Sequence, residues 1–127
     1  PLPIETSYKN PETLGNDRIC NAVAGRDCFP GNNVLIVDLG TCNKYDFIDK
    51  KGCYLGGSIA PGYKMRYDAM HKFTAQLPLL APNVPSGFIG KSTKTSMETG
   101  VFWGMAGEIN YLIGQYILQF YDLKIIL

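Results

Sequence analysis

Apolar positions along this chain fall into separated groups, and each group has the period of one kind of element. Val34-Leu35-Ile36-Val37-Asp38-Leu39 is a nearly unbroken aliphatic run of strand length, introduced by Asn32 and Asn33 and followed at once by Gly40. Such a run predicts a buried central strand. Tyr45, Phe47 and Ile48 form a second strand-like segment, and the turn Asp49-Lys50-Lys51-Gly52 separates it from a third, Cys53-Tyr54-Leu55 up to Gly56-Gly57. Three consecutive antiparallel strands are expected.

Helical spacing appears in three places. Asp17 to Gly25 is a short candidate in which Ile19, Ala22 and Val23 can share a face. Pro61 can occupy a first helical position, and Met65, Ala69, Phe73 and Leu77 follow at four-residue steps, opposite Lys64, Asp68 and Lys72. The stretch from Pro78 to Gly90 carries Pro82, Pro85 and Gly87 and predicts a long loop of the kind that often has a function. A capping box, Thr95-x-x-Glu98, opens the longest element, with Val101, Phe102, Met105, Ile109, Leu112, Ile113, Tyr116 and Phe120 at helical spacing. Gly100 and Gly104 lie one turn apart inside it; each costs about 1 kcal/mol against Ala, which points to close packing there. Leu123 to Leu127 reads as a strand beginning. The order of elements suggests an α/β domain with a mixed sheet.

Composition narrows the function classes. The chain has 127 residues, one domain or part of a larger one. Its start at Pro1 without Met and its apolar end lead us to expect a fragment. Twelve basic and eleven acidic residues leave a net charge of +1, no footprint for nucleic acid or an anionic membrane. Apolar residues at 46% and charged ones at 18% can build a core. Val101 to Tyr121 is interrupted by Glu108, Asn110, Gln115 and Gln119, so it reads as a core helix and not a membrane span. With no export leader visible, a cytoplasmic location is expected. Cys20, Cys28, Cys42 and Cys53 lack the close pairs of a zinc site and are expected as free thiols.

Three segments could carry chemistry. Asp38-Leu39-Gly40-Thr41 closes the most buried strand, where a carboxylate needs a cation or donors; Gly40 lets a phosphate approach the backbone and Thr41 adds a hydroxyl. A strand-ending turn with an exposed Asp is the equal alternative. In Gly15-Asn16-Asp17-Arg18, Asp17 could act as a base while Arg18 grips an anion by bidentate bonds; an N-cap with a surface ion pair competes. Gly90-Lys91-Ser92-Thr93 imitates the end of a phosphate-binding loop, but Pro85 stands where the pattern needs glycine. What remains is a helix entrance that could bind a polar ligand or simply be capped. His71 is expected in solvent, and Tyr45, Tyr63 and Tyr67 in packing. No nucleophilic triad or dinucleotide fingerprint occurs.

Taken together, Pro11-x-Thr13-Leu14-Gly15-Asn16-Asp17-Arg18, Asp38-x-Gly40-Thr41, Gly56-Gly57-x-Ile59-x-Pro61-Gly62, Thr74-Ala75-x-Leu77-Pro78 and Gly90-Lys91-Ser92-Thr93 resemble type III pantothenate kinase. That family belongs to the acetate kinase, sugar kinase, Hsp70 and actin superfamily, whose two ribonuclease-H-like lobes close around ATP. The resemblance implies a hinge segment over residues 1–31 and a second ribonuclease-H-like lobe, incomplete at its C-terminal end, over 32–127. It implies Asp17 as general base on the pantothenate hydroxyl, Gly15, Asn16, Asp17, Arg18 and Thr93 touching pantothenate, and Thr41 on an ATP phosphate. Asp38 would hold a monovalent cation, potassium or ammonium, with magnesium also expected. A homodimer is implied, with Gly100, Trp103 and Gly104 as a contact surface, and the 127 residues alone are expected to be inactive. A non-catalytic regulator, accessory to transcription, is the alternative. The sequence departs from the family pattern at Cys42-Asn43-Lys44-Tyr45-Asp46, with Lys44 the oddest residue.

Overall fold

An aliphatic run with no polar alternation needs cover on both faces and a partner on each edge, and the central strand has all four. In the computed structural model, which describes residues 3–127, β1 (Asn33–Leu39) lies inside a four-stranded sheet. β2 (Cys42–Ile48) and β3 (Tyr54–Pro61) continue it as an antiparallel meander on one side. On the other side β4 (Leu123–Ile126) pairs with it in parallel, giving the order β3-β2-β1-β4. This is the mixed α/β sheet expected from the order of elements.

Strand alternation then distributes the side chains between two layers. Val34 and Ile36 of β1 and Ile48 of β2 form a core with Ile19 and Ala22 of α1 (Asn16–Cys28), together with Ile4, Leu14 and Tyr54. Leu35, Val37 and Tyr45 face the other way and are covered by Ile109, Leu112, Ile113 and Tyr116 of the long helix α3 (Thr93–Gln119). Phe47 extends that layer, its ring centroid 4.1 Å from that of Phe120. The register sets Ile36 opposite Asp46 and Asp38 opposite Lys44. Polar residues therefore occupy the α1 side of the sheet at its carboxyl end.

Several expectations need correction. The first helix runs to Cys28, past Gly25. β3 passes straight through Gly56-Gly57, because Gly57 lies so close under β2 that a Cβ there would sit 1.6 Å from the Tyr45 carbonyl oxygen. Pro61 is consequently the last strand residue, and Gly62 caps α2 (Tyr63–Phe73). The face of α2 set by Met65 and Phe73 is exposed, Phe73 at 77%, while Tyr67 is buried. Tyr63 and Tyr67 meet edge to face, and Tyr63 reaches Phe102 of α3, so aromatic packing fixes the helix orientation.

The cap of α3 is also one turn earlier than expected. Thr95 N–H donates to the Ser92 side chain and Thr95 Oγ1 accepts from Ser92 N–H, a reciprocal box that leaves Glu98 free. Glu98 is buried instead and accepts from Asn83 Nδ2 at 3.1 Å. Gly100 and Gly104 face open space and do not mark close packing within the chain. Nor is α3 a core helix all round, since Tyr111 and Leu118 are exposed. The four cysteines are free thiols, and His71 is exposed, as expected. Among the described residues no helix is long and apolar enough to cross a membrane.

Candidate active site at the carboxyl end of the central strand

α1 begins at the Gly15 N-cap, which sets Asp17 in the first turn, where a negative charge suits the helix dipole. The Asp17 carboxylate bends back to accept the Arg18 N–H at 2.9 Å. A Cβ at Gly15 would lie 2.7 Å from Asp17 Oδ1, so the glycine leaves room for that carboxylate. Asp17 remains exposed.

Arg18, one residue on, is rotated about 100° around the helix and points inward. It is 5% exposed, and its Nε and Nη2 donate to Asp46 Oδ1 at 2.8 and 2.6 Å. Tyr54 OH donates to the same oxygen at 2.7 Å. The guanidinium also lies 5.8 and 5.9 Å from the ring centroids of Tyr8 and Tyr54. Burial works against its charge, but the Asp46 carboxylate outweighs burial and leaves the Arg18 pKa raised. Among the described residues the side chain makes no ion pair with Asp17, and its Nε and Nη2 are held by Asp46.

Lys44, half-buried, joins the acids on the α1 side of the sheet. Its Nζ lies 2.6 Å from Asp17 Oδ2 and 2.8 Å from Asp38 Oδ2, and Asn21 Nδ2 donates to the same Asp38 oxygen at 3.3 Å. Two carboxylates from different elements thus converge on one ammonium. The hydrogen bond from Lys44 holds the Asp17 pKa below the usual carboxylate range, helped by the Arg18 N–H. Hydrogen bonds to Asp17 and then Asp38 raise the Lys44 pKa in return.

Thr41 is exposed in the tight turn joining β1 to β2, close along the chain to Asp38. Gly62 N–H donates to the Thr41 carbonyl at 3.0 Å, and a Cβ at Gly62 would come within 2.1 Å of the Gly40 oxygen. The start of α2 is therefore sealed against this turn. A cleft of about 410 Å³ opens beside it, lined by Asn21, Ile36, Asp38, Leu39 and Ile126 among others. Thr93 stands apart as the first residue of α3; it is exposed, and among the described residues it makes no hydrogen bond to the Asp17–Lys44–Asp38 cluster.

The expected cations do not fit these donors. Among the described residues no three His, Cys, Asp or Glu side chains gather to hold a metal. Asp38 Oδ2 already receives Lys44 and Asn21. A second monovalent cation about 4 Å from the Lys44 ammonium would be repelled by it by about 4 kcal/mol at an effective dielectric of about 20, which offsets much of the attraction to the Asp38 carboxylate. Magnesium, which takes one or two carboxylates beside substrate phosphates, meets only acids already tied to Lys44. Where a free cation was expected on Asp38, the Lys44 ammonium and the Asn21 amide stand on its Oδ2. Sequence reasoning also missed Asn21, Asp46 and Tyr54 as supports; the available signal was Lys44 and Asp46 alternating with Ile48 on the inward face of β2.

The Asp17 and Asp38 acids stand at the carboxyl end of the central strand of an α/β sheet, with the Thr41 turn next to Asp38 along the chain. The model of the type III pantothenate kinase family matches residues 1–115, and the chain belongs to that family. Proteins named type III pantothenate kinase from Christiangramia forsetii and Flavobacterium johnsoniae are similar to it. The first is 45% identical over 98% of this chain and 51% of its own length, the second 43% over 99% and 52%. A third, from Bacteroides fragilis, is 46% identical over 86% of this chain and 45% of its own. The chain spans about half the length of these relatives. A solved structure from Campylobacter jejuni, described as a conserved Baf family transcriptional activator, superposes with a TM-score of 0.50 at 25% identity, covering 87% of this chain and 49% of that one.

Proposed function

We propose that this chain supplies one half of an ATP-dependent kinase that phosphorylates pantothenate, the first step of coenzyme A biosynthesis, in the cytoplasm. The observation that carries this reading is the convergence of the Asp17 and Asp38 carboxylates on one ammonium beside the Gly40-Thr41 turn. Asp17 is the general base. As the pantothenate hydroxyl oxygen bonds to the γ-phosphorus of ATP, the bond to the ADP oxygen breaks and the hydroxyl proton passes to Asp17. The transition state is loose, so a weakly basic carboxylate suffices provided that it is oriented. Its depressed pKa is suited to orienting the hydroxyl more than to early proton removal.

Gly15, Asn16 and Asp17 border the substrate through the start of α1, and Arg18 holds that start in place from below. Thr41 offers a hydroxyl to an ATP phosphate. Thr93 meets pantothenate once the remaining half of the kinase is present. In this reading, residues 1–31 lead in from the other lobe and 32–127 belong to the second lobe. The exposed face of α3 with Gly100, Trp103, Gly104 and Tyr111 joins two copies into a homodimer.

The test is conversion of pantothenate and ATP to phosphopantothenate by the full-length protein carrying this chain. Asp17→Asn abolishes turnover without unfolding the protein, since Asp17 is exposed. A fully active variant excludes the proposed base. The 127 residues alone give no turnover. The regulator reading has the description of the Campylobacter jejuni structure in its favour; pantothenate binding without phosphate transfer by the full-length protein would select it. The charge of +1 gives no support to direct DNA contact.

A further inference from the structure

Lys44 is a charged group at the site to which the family resemblance gives no task. Its position is set by the sheet: the β1–β2 register puts it directly across from Asp38, and strand alternation turns both toward α1, where the first turn presents Asp17. Cross-strand opposition of this kind fixes a pair without needing a long flexible reach. The side chain is only 16% exposed, so its stem is packed and its head has little freedom. An alkylammonium carries the same charge as free ammonium and keeps three of its four N–H donors. Tethering it to the strand makes its presence independent of the salt outside.

We propose that Lys44 is a built-in monovalent cation: its ammonium sits on Asp38 where potassium or free ammonium would otherwise bind, and it simultaneously positions Asp17. The kinase formed with this chain then needs no added monovalent cation. The second statement rests on the kinase reading above; the first does not. Lys44 is a positioning residue, acting on the reaction through the two carboxylates it joins.

Two measurements separate these claims. The 127-residue chain is titrated with thallium(I), a stand-in for potassium, and followed by thallium NMR at constant ionic strength in choline chloride. Wild type shows no binding, whereas Lys44→Ala and the better-packing Lys44→Met each bind thallium and lose it to potassium. Binding by wild type, or by neither variant, overturns the proposal.

The full-length protein is then assayed for phosphopantothenate in choline chloride with and without potassium or ammonium. Wild-type rates change by less than about twofold, while Lys44→Ala loses about tenfold or more and regains activity with ammonium or methylammonium. Strong stimulation of wild type by potassium, or full activity of Lys44→Ala in choline, also overturns it. No turnover in any salt refutes the kinase reading alone, because the thallium titration still decides the place of Lys44.

Discussion

Replacing Arg18 by Met tests whether this arginine belongs to the core or to the ligand. The substitution preserves most of the stem but removes both N–H bonds to Asp46 Oδ1, leaving a fully buried carboxylate with only the Tyr54 hydroxyl. Breaking a buried pair by deleting one partner costs about 3–5 kcal/mol. At about 2.1 cal/mol/K per residue, unfolding this chain of 127 residues has an entropy near 0.27 kcal/mol/K, so the melting temperature falls by about 11–19 °C.

Differential scanning calorimetry on the 127-residue chain reads that shift directly. Removing the whole polar set by Arg18→Met, Asp46→Leu and Tyr54→Phe together restores most of the loss, because no desolvated charge or hydroxyl remains. A shift equivalent to less than about 1 kcal/mol for Arg18→Met would refute the reasoning, since that is the range of exposed pairs. Loss of pantothenate binding with an unchanged melting temperature would show that the guanidinium faces ligand.

The same geometry makes further predictions. Tyr45, whose pKa burial and Glu108 push up to about 12, and Tyr116, raised by burial, favour the protonated form in the fold. Unfolded tyrosines release their protons near pH 10, so the unfolded state binds fewer protons above that and stability falls as pH rises from about 10 toward the folded values; thermal melts between pH 8 and 11 should show this, with a shallower decline in Tyr45→Phe. Because Asp17 is held below the usual carboxylate range, the acid limb of kcat/KM lies below about pH 3.9 in wild type and moves up toward it in Lys44→Ala. Gly15→Ala crowds the Asp17 carboxylate, so turnover falls far more than the melting temperature. Gly62→Ala drives a methyl into the Gly40 carbonyl and destabilises by about 1–3 kcal/mol in a urea titration, the cost of overpacking.

The central strand and α3 were legible because long apolar runs carry their own period, as Val34 to Val37 and the Ile109, Leu112, Ile113, Tyr116 series do. β3 was less so: Gly56-Gly57 reads as a turn locally, and only the neighbouring backbone of Tyr45 explains why glycine continues the strand there. The second helix misled because Met65 and Phe73 keep a helical spacing on the exposed side, while Tyr67 is chosen by contacts with residues distant in sequence. At the site, Asp17 and Asp38 stand out by their motifs, but their meeting does not. It depends on the strand register, which sets Lys44 across from Asp38, and on the packing of α1 over that face, which also brings Arg18 to Asp46 across 28 positions. Local pattern shows which residues are unusual; strand register and helix packing together decide which of them become neighbours.

Asp17 and Arg18 are consecutive on one helical turn, yet one is anchored in the interior and the other reaches the solvent. On the kinase reading, the interior bolt cannot be altered without disturbing the working acid beside it. Any change that loosens the Tyr54–Asp46–Arg18 junction, including mild warming, should register as failing turnover before the sheet itself melts, which makes catalysis in this protein a sensitive thermometer of its own core.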